Sequence, residues 1–254
     1  MQPENNAIVK IIISFIILFV CYHLAEYMIL FRNSPAGFFL FQILFFIVAY
    51  ILGNWSNKTG LSYWGLPLTC KIYTYILIGA PLGILLYAIP FFLSLVFRIE
   101  IIKNIPALHI IMESTAPFIF GLVFSSFSED ILTRGIVYRL LNGKLKNIWI
   151  VLISSLIFLS NHIYRLNDGY DTLLYLFFLG VVLTIPLFFT KNIWVTGFMH
   201  WAGNSFFYVT HNVFQTDNGL SPIKPNLFFA FWIILYIPMV WLTCKKLGSA
   251  LKIK

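Results

Sequence analysis

Charged side chains are scarce in this sequence. They account for 10% of its 254 residues, whereas an average globular protein contains about 25%. Hydrophobic residues make up 60% of the chain, its mean hydropathy is +0.88, and no polar stretch is long enough for a separate soluble domain. The sequence therefore excludes an ordinary soluble protein and predicts a single membrane domain over residues 1–254.

Cysteine is also rare, and the spacing of the three cysteines does not indicate a disulfide or a metal site. Cys21, Cys70 and Cys244 lie far apart without a CxxC pair. This spacing excludes a disulfide framework and a thiolate zinc site, and it indicates small apolar packing residues. The chain contains no HExxH sequence either, so the helix typical of zincins is absent.

A basic groove with interleaved aromatic residues is missing too, although the net charge is +8. The lysines and arginines stand singly or in pairs at the ends of apolar runs, where such residues anchor and orient membrane helices. We therefore expect no nucleic-acid partner. We expect the protein to contact the lipid bilayer, because its many aromatic residues suit lipid contact and the membrane interface.

Long apolar runs dominate what the sequence does contain. A membrane-spanning helix needs about 20 apolar residues, and on that basis we predict an all-α, polytopic transmembrane helix bundle of about eight spans. The first run, residues 11–31, is longer than the apolar region of a signal peptide, about 7–15 residues, and is interpreted as an uncleaved span. The expected spans are residues 8–31, 36–53, 72–97, 115–140, 148–164, 171–190, 192–212 and 226–243.

The membrane domain is expected to have three parts. Residues 1–114 hold the N-terminal spans, and residues 115–210 hold a core with the polar motifs. Residues 211–254 hold the last span and a basic tail. The tail is interpreted as an anchor at the membrane surface.

The basic residues also predict the orientation. Eight spans place both termini on one side, and cytoplasmic loops carry an excess of Lys and Arg. Eleven basic residues fall on the side of the termini and five on the other. Both termini are therefore expected in the cytoplasm, and the protein in the cell (plasma) membrane. The eleven are Lys10, Lys58, Lys71, Arg139, Lys144, Lys146, Lys191, Lys245, Lys246, Lys252 and Lys254, and the five are Arg32, Arg98, Lys103, Arg165 and Lys224.

The fourth expected span carries three charged residues, Glu129, Asp130 and Arg134. Each charge costs about 2.5–3.5 kcal/mol near the centre of a bilayer, so the three must face protein or a hydrated cavity and must have partners. Asp130 and Arg134 are four residues apart, a spacing that places both side chains on one face of a helix. We interpret this stretch as a built site in which Arg134 neutralises Asp130 and Glu129 points elsewhere.

Two further polar positions lie on the fifth and seventh expected spans. His162 follows Phe158 by four residues, and Asn204 follows His200 by four, so each pair shares a helix face. The rise of 1.5 Å per residue places Glu129, His162 and His200 roughly 12–20 Å from the helix ends on the side of the termini. One common cavity is therefore expected, reached more easily from the cytoplasm. The other histidines, His23, His109 and His211, are interpreted as structural.

Such a set of residues suits the hydrolysis of an amide bond. A glutamate in a dry pocket can act as a general base on water, and His and Asn side chains can donate hydrogen bonds to the oxyanion that forms. Alternatively, Glu129, His162 and His200 have the number and types of ligands of a His₂Glu zinc site. The cofactor is therefore either none or zinc. Each motif taken singly is common in structural helices; their order on three apolar helices favours a functional site.

At these residues the sequence resembles the CPBP (CAAX protease and bacteriocin-processing, or Abi) family of intramembrane proteases, which includes the type II CAAX prenyl endopeptidases. The pattern of that family is Glu-Glu-x-x-x-Arg, then Phe-x-x-x-His, then His-x-x-x-Asn, on three different helices. Here the three motifs are residues 129–134, 158–162 and 200–204, and Gly135 after Arg134 also matches. The resemblance covers roughly residues 115–210.

The resemblance implies an endopeptidase and a role for each matched residue. Glu129 would activate water, and His162 would help to hold the water or the scissile carbonyl. His200 and Asn204 would stabilise the oxyanion, while Arg134 would orient the acidic pair. The substrate would be a peptide or a membrane-protein tail, cut near the cytoplasmic face. Members of the family are described both as metalloproteases and as metal-independent glutamate proteases.

One position departs from the family pattern, since the second glutamate is Asp130. If the second acid only supports the first, activity is expected to be kept; if it takes part directly, its shorter reach slows or stops the reaction. An inactive scaffold, immunity protein or regulator of the same fold is therefore a second interpretation. A small transporter that uses the same polar cluster for a proton or solute is a third.

Overall fold

The structure is a computed structural model that describes residues 2–250, and their side chains from residue 6 onward. Met1 and residues 251–254 lie outside the described residues, and with them lies the end of the predicted basic tail, including Lys252 and Lys254. Within the described part the chain is an all-α bundle of membrane helices, which confirms the predicted fold class.

The helices follow one another through short connections. The α-helices are α1 (Gln2–Leu30), α2 (Pro35–Asn57), α3 (Ile72–Val96), α4 (Leu108–Asp130), α5 (Ile136–Leu141), α6 (Asn147–Asn161), α7 (Tyr170–Thr190), α8 (Trp194–Tyr208) and α9 (Pro225–Ala250). Two π-helical turns (Ile131–Gly135 and Val209–Val213), two 3₁₀ turns (Gly60–Trp64 and Ile163–Arg165) and two strands, β1 (Glu100–Asn104) and β2 (Gln215–Asn218), complete the described chain.

The helix bounds differ from the expected spans at several points. The fourth helical unit begins at Leu108, seven residues earlier than expected, and runs through a π-helical turn to Leu141. The expected fifth span ends at Asn161 rather than at residue 164. Six described helical stretches are long and apolar enough to cross a membrane; α6 and α8 have 15 residues each. These two shorter helices carry the histidine motifs.

A two-stranded antiparallel ribbon was not expected from the sequence. Strand β1 pairs with β2 so that Glu100 faces Asn218, and Lys103 forms an ion pair with Asp217 across the ribbon. The strands have five and four residues, too few for an alternating pattern to be recognised. They are also distant in sequence, so their pairing depends on the bundle that brings them together.

Small residues let α8 pack closely against α3. A Cβ atom on Gly83 would lie 2.0 Å from the Met199 carbonyl oxygen, and one on Gly79 would lie 2.6 Å from that of Val195. Close approach of backbones at small residues is a common way to pack membrane helices. The effect here is to fix α8, which carries His200, against the middle of α3.

The bundle has two ends. The terminal end is where α1 begins and α9 ends, and it includes residues 58–71, 142–146 and 191–193. The loop end includes residues 31–34, 97–107, 162–169 and 214–224, and therefore the β-ribbon.

The terminal end is closed beneath the centre of the bundle by the 3₁₀ turn Gly60–Trp64. Trp64 is fully buried, and its indole donates a hydrogen bond to the Ala49 carbonyl at 2.8 Å. A Cβ atom on Gly135 would lie 2.1 Å from the Trp64 carbonyl oxygen. The turn is thus packed tightly against the π-helical turn that follows Asp130.

Candidate active site

The charged residues of α4 lie at the junction between a regular helix and the π-helical turn Ile131–Gly135. Such turns insert an extra residue into a helix and are frequent at functional sites. Thr133 Oγ1 donates a hydrogen bond to the Glu129 carbonyl oxygen at 2.8 Å. This bond satisfies the carbonyl where the π-helical turn changes the backbone hydrogen-bond pattern. All residues from Ser126 to Val137 are buried. The turn thus presents Glu129 and Asp130 to the interior of the bundle.

Arg134 and Asp130 form an ion pair with no exposed side-chain surface on either partner. The Arg134 guanidinium also donates to Thr133 Oγ1 at 2.9 Å and lies 4.6 Å from the Phe158 ring centroid, where the face of the ring attracts a cation. The predicted pairing of these two residues is therefore present in the structure. Aspartate in place of the second glutamate of the family pattern still reaches its arginine.

Asp130 also orients the histidine of α8. Its Oδ1 atom lies 3.3 Å from His200 Nδ1, and His200 is buried, with 3% of its surface exposed. A carboxylate that accepts a hydrogen bond from one ring nitrogen determines which way the other nitrogen points. His200 Nε2 accordingly faces Glu129, 3.7 Å from its Oε2 atom.

Glu129 is the residue on which the three motif helices converge. Its Oε1 atom accepts a hydrogen bond from Asn161 Nδ2 at 3.1 Å and lies 3.6 Å from His162 Nδ1. Its Oε2 atom faces His200. The structure therefore brings Glu129, Asp130, Arg134, His162 and His200 together, as the motif order indicates.

Asn204, the sixth predicted residue, lies one turn beyond His200 on α8. Its Oδ1 atom accepts a hydrogen bond from the Tyr87 hydroxyl of α3 at 3.4 Å. Because the amide oxygen is used in this contact, the NH₂ group is the part of Asn204 that can donate a hydrogen bond to another partner. Tyr87 also lines a cavity of about 450 Å³ at the loop end, so Asn204 contacts a residue in the wall of that cavity.

Sequence reasoning missed three residues of the site, namely Tyr22 and Glu26 of α1 and Asn161 of α6. The Tyr22 hydroxyl donates to Glu26 Oε1 at 3.2 Å, and electrostatic interactions link both residues to Glu129. The available signal was an acid in the first apolar run and an Asn beside His162, since polar residues inside membrane helices need partners.

The remaining histidines divide between the site and the loop end. His23, interpreted as structural, lies 3.0 Å from the Asn161 carbonyl oxygen through its Nε2 atom and so connects α1 to α6 at the site. His211 lies at the loop end, with its Nε2 atom 3.0 Å from Glu100 Oε1 and its ring stacked on Phe207 at 4.2 Å. His109 is at the start of α4, outside the site.

Glu129, His162 and His200, as placed, do not fit a zinc ion. His162 Nδ1, the ring nitrogen that faces Glu129, lies 2.8 Å from the Phe158 carbonyl oxygen. A carbonyl can only accept, so this nitrogen carries a hydrogen, and the lone pair of the neutral ring is on Nε2, which is not the nitrogen that faces Glu129. Among residues 6–250, whose side chains the structure describes, no group of three His, Cys, Asp or Glu is placed to hold a metal ion.

The residues around the site are more exposed toward the loop end of the bundle. His162 caps α6 at that end with 19% of its side chain exposed, and Glu26 lies four residues before the end of α1. A second cavity, of about 220 Å³, lies beside Glu26, whereas Trp64 closes the terminal end. The predicted access from the side of the termini would have to pass the 3₁₀ turn Gly60–Trp64, which packs against the π-helical turn on that side; the direction of access stays a prediction.

Comparison with known proteins agrees with this geometry. Residues 111–206 match the family model described as Rce1-like, Type II CAAX prenyl endopeptidase Rce1-like. No curated protein and no solved structure matches the chain significantly. The matched segment contains all six predicted site residues and excludes α1. The resemblance that the motifs predict is thereby confirmed: residues 111–206, which hold the three motifs, match the Rce1-like type II CAAX prenyl endopeptidase family.

Proposed function

We propose that this protein is an intramembrane endopeptidase in which Glu129 takes a proton from the water that attacks a peptide carbonyl. The observation that supports this most directly is the position of Glu129, whose carboxylate is held between Asn161, His162 and His200 in a buried site. A general base must lie within reach of the proton that it takes and be held in one orientation. Three polar partners from two other helices hold Glu129 in this way.

The neighbouring residues have roles that follow from their contacts. His162 stands at the open side of Glu129 and holds the water or the scissile carbonyl. The side chains of His200 and Asn204 donate to the oxyanion that develops on the carbonyl oxygen, since preorganised donors in a site shielded from water stabilise such a charge strongly. Asp130 and Arg134 position His200. The proposed step needs no metal, because Glu129 itself takes the proton from water.

The contacts of Asp130 favour the enzyme over the inactive scaffold. Asp130 reaches both Arg134 and His200, so the shorter side chain retains the supporting role of a second acid. Asp130 acts on Glu129 through His200 and the helix backbone, while the charge of Arg134 also acts on Glu129 directly. A supporting residue of this kind tolerates the loss of one methylene group, which is the condition under which activity is kept.

The test is cleavage of a quenched fluorescent peptide library by detergent-purified protein, with and without a zinc chelator. We expect turnover that the chelator does not change and that is absent in Glu129→Ala. Turnover lost in chelator would instead indicate a metalloprotease. A folded protein that cleaves no peptide would favour the scaffold, whose phenotype Glu129→Ala should not change. Solute flux into proteoliposomes without cleavage would favour a transporter.

The substrate is proposed to be a peptide or a membrane-protein segment that enters from the loop end. The excess of Lys and Arg on the other side favours cytoplasmic termini in the plasma membrane. If so, the reaction takes place toward the outer face rather than the cytoplasmic one. The exposed thiol of Cys70 lies at the terminal end and offers a native reporter, since Cys21 and Cys244 are buried.

We expect a membrane-impermeant maleimide to leave Cys70 unlabelled in intact cells and to label it after permeabilisation. The matched control is Leu220→Cys in a Cys70→Ser background, because Leu220 is 86% exposed at the loop end. This control should be labelled in intact cells. Labelling of Cys70 from outside would reverse the orientation and return the open side of the site to the cytoplasm.

A further inference from the structure

The first helix contributes an acidic residue that the matched segment does not include. Glu26 of α1 is joined to Glu129 through the Tyr22 hydroxyl, which donates to Glu26 Oε1 at 3.2 Å and interacts electrostatically with Glu129. A second connection runs from His23, 3.7 Å from Glu26 Oε2, through Asn161 to Glu129. Two independent chains of polar contacts thus link α1 to the proposed base.

Glu26 has an unused acceptor at the boundary of a cavity. Its Oε2 atom is buried and makes no hydrogen bond with any part of the chain that the structure describes. A buried polar atom without a partner is costly and calls for an explanation. The cavity of about 220 Å³ beside it is lined mostly by apolar residues of α1, α2 and α4. Oε2 is therefore free to meet a polar group of a substrate that occupies this cavity.

The second half of peptide hydrolysis requires an acidic group near the leaving nitrogen. Once water has attacked and Glu129 has taken its proton, the amide nitrogen must be protonated before it can leave as an amine. His200 faces Glu129 from α8, and Asn204, one turn further along α8, contacts Tyr87 at the larger cavity. Glu26 interacts with Glu129 from α1, a different helix from the one that supplies the proposed oxyanion donors.

We propose that Glu26 is a further catalytic residue, the acid that protonates the leaving nitrogen, and that Tyr22 returns the proton to it. This inference rests on the proposed endopeptidase function. As the C–N bond of the tetrahedral intermediate breaks, its electron pair goes to nitrogen, which takes the proton of the Glu26 carboxylic acid while the carbonyl re-forms. The Glu26 carboxylate that results lies beside His23, which stabilises its charge.

The cycle closes without any further reactant. Glu129 holds the proton from water and Glu26 has lost one, so a single transfer from Glu129 to Glu26 restores both residues. The Tyr22 hydroxyl accepts the proton of Glu129 while donating its own to Glu26. Before the reaction the pair holds one proton, because two carboxylates in a site shielded from water repel one another when both are charged.

The experiment compares a peptide amide with the ester of the same sequence, in wild type and in Glu26→Gln. An alkoxide or phenoxide leaves more easily than an amine and depends less on an acid. We expect Glu26→Gln to lower kcat for the amide by about 10²-fold or more, since a general acid contributes about 10²–10⁴-fold, and to change ester cleavage by less than about threefold. Tyr22→Phe should slow the amide as well, whereas Tyr27→Phe, at an exposed tyrosine of the same helix, should not.

Equal losses on amide and ester would show that Glu26 has a structural role and would overturn the inference. Unchanged amide cleavage in Glu26→Gln would overturn it as well. Failure of the wild-type protein to cleave either substrate would instead count against the proposed function itself. Thermal unfolding of Glu26→Gln in detergent distinguishes a misfolded variant from an inactive one, and the shape-conserving glutamine keeps an acceptor for Tyr22.

Discussion

Glu129→Gln is expected to lower the rate of peptide cleavage by about 10²–10⁴-fold, the contribution typical of a general base. Glutamine has the same shape as glutamate and retains an oxygen that can accept the hydrogen bond from Asn161, which in the native protein is 3.1 Å long. It cannot take a proton from water. The loss should therefore appear in kcat, while the variant folds and binds peptide as the wild type does.

The measurement is steady-state cleavage of a fluorogenic peptide by detergent-purified protein, together with its thermal unfolding. The matched control is Glu113→Gln, because Glu113 lies on the same helix but is exposed; its activity should equal that of wild type. If Glu129→Gln retained more than about a tenth of the wild-type kcat, general-base catalysis by Glu129 would be refuted.

Arg134→Met is expected to lower the free energy of unfolding by about 3–5 kcal/mol, because it leaves the Asp130 carboxylate buried without its cation. Neither side chain has exposed surface, so water cannot replace the arginine. The Phe158 ring also loses the guanidinium that lies over it. Activity should fall with stability, since Asp130 orients His200.

Unfolding by titration with a denaturing detergent measures this effect. Arg139→Met provides the control: Arg139 is exposed and contacts Tyr63 through its guanidinium at 4.3 Å, an interaction that contributes about 0.5–1 kcal/mol. The double variant Asp130→Leu with Arg134→Met should recover much of the stability, because no buried charge is left unpaired. A double variant less stable than Arg134→Met would contradict this account.

The cost of charge in a membrane explains how much of the site could be predicted from the sequence. Glu129, Asp130 and Arg134 had to be partnered inside the bundle, and the spacing of Asp130 and Arg134 indicated the ion pair that the structure contains. The histidines on two other apolar helices had to face the same interior. Physical argument and motif order therefore agree on which helices meet.

Other parts of the site could not be predicted, because they depend on distant contacts. Nothing in the spacing of α1 reveals that Tyr22 and Glu26 face Glu129, more than 100 residues away in the sequence. The π-helical turn after Asp130 packs against Trp64, a contact that the local sequence does not reveal. The burial of Trp64 could not be predicted for a related reason, because it depends on contacts with the Ala49 carbonyl and with Gly135, both distant in the sequence.

Trp64, fully buried against the π-helical turn, separates the charged residues of α4 from the compartment at the terminal end. With entry from the loop end, as proposed above, the reaction chamber would be a pocket with one mouth rather than a pore. Water would then reach Glu129 without a continuous aqueous path across the bilayer. Both halves of a cleaved peptide would leave through the mouth by which the substrate entered, so products would compete directly with the next substrate.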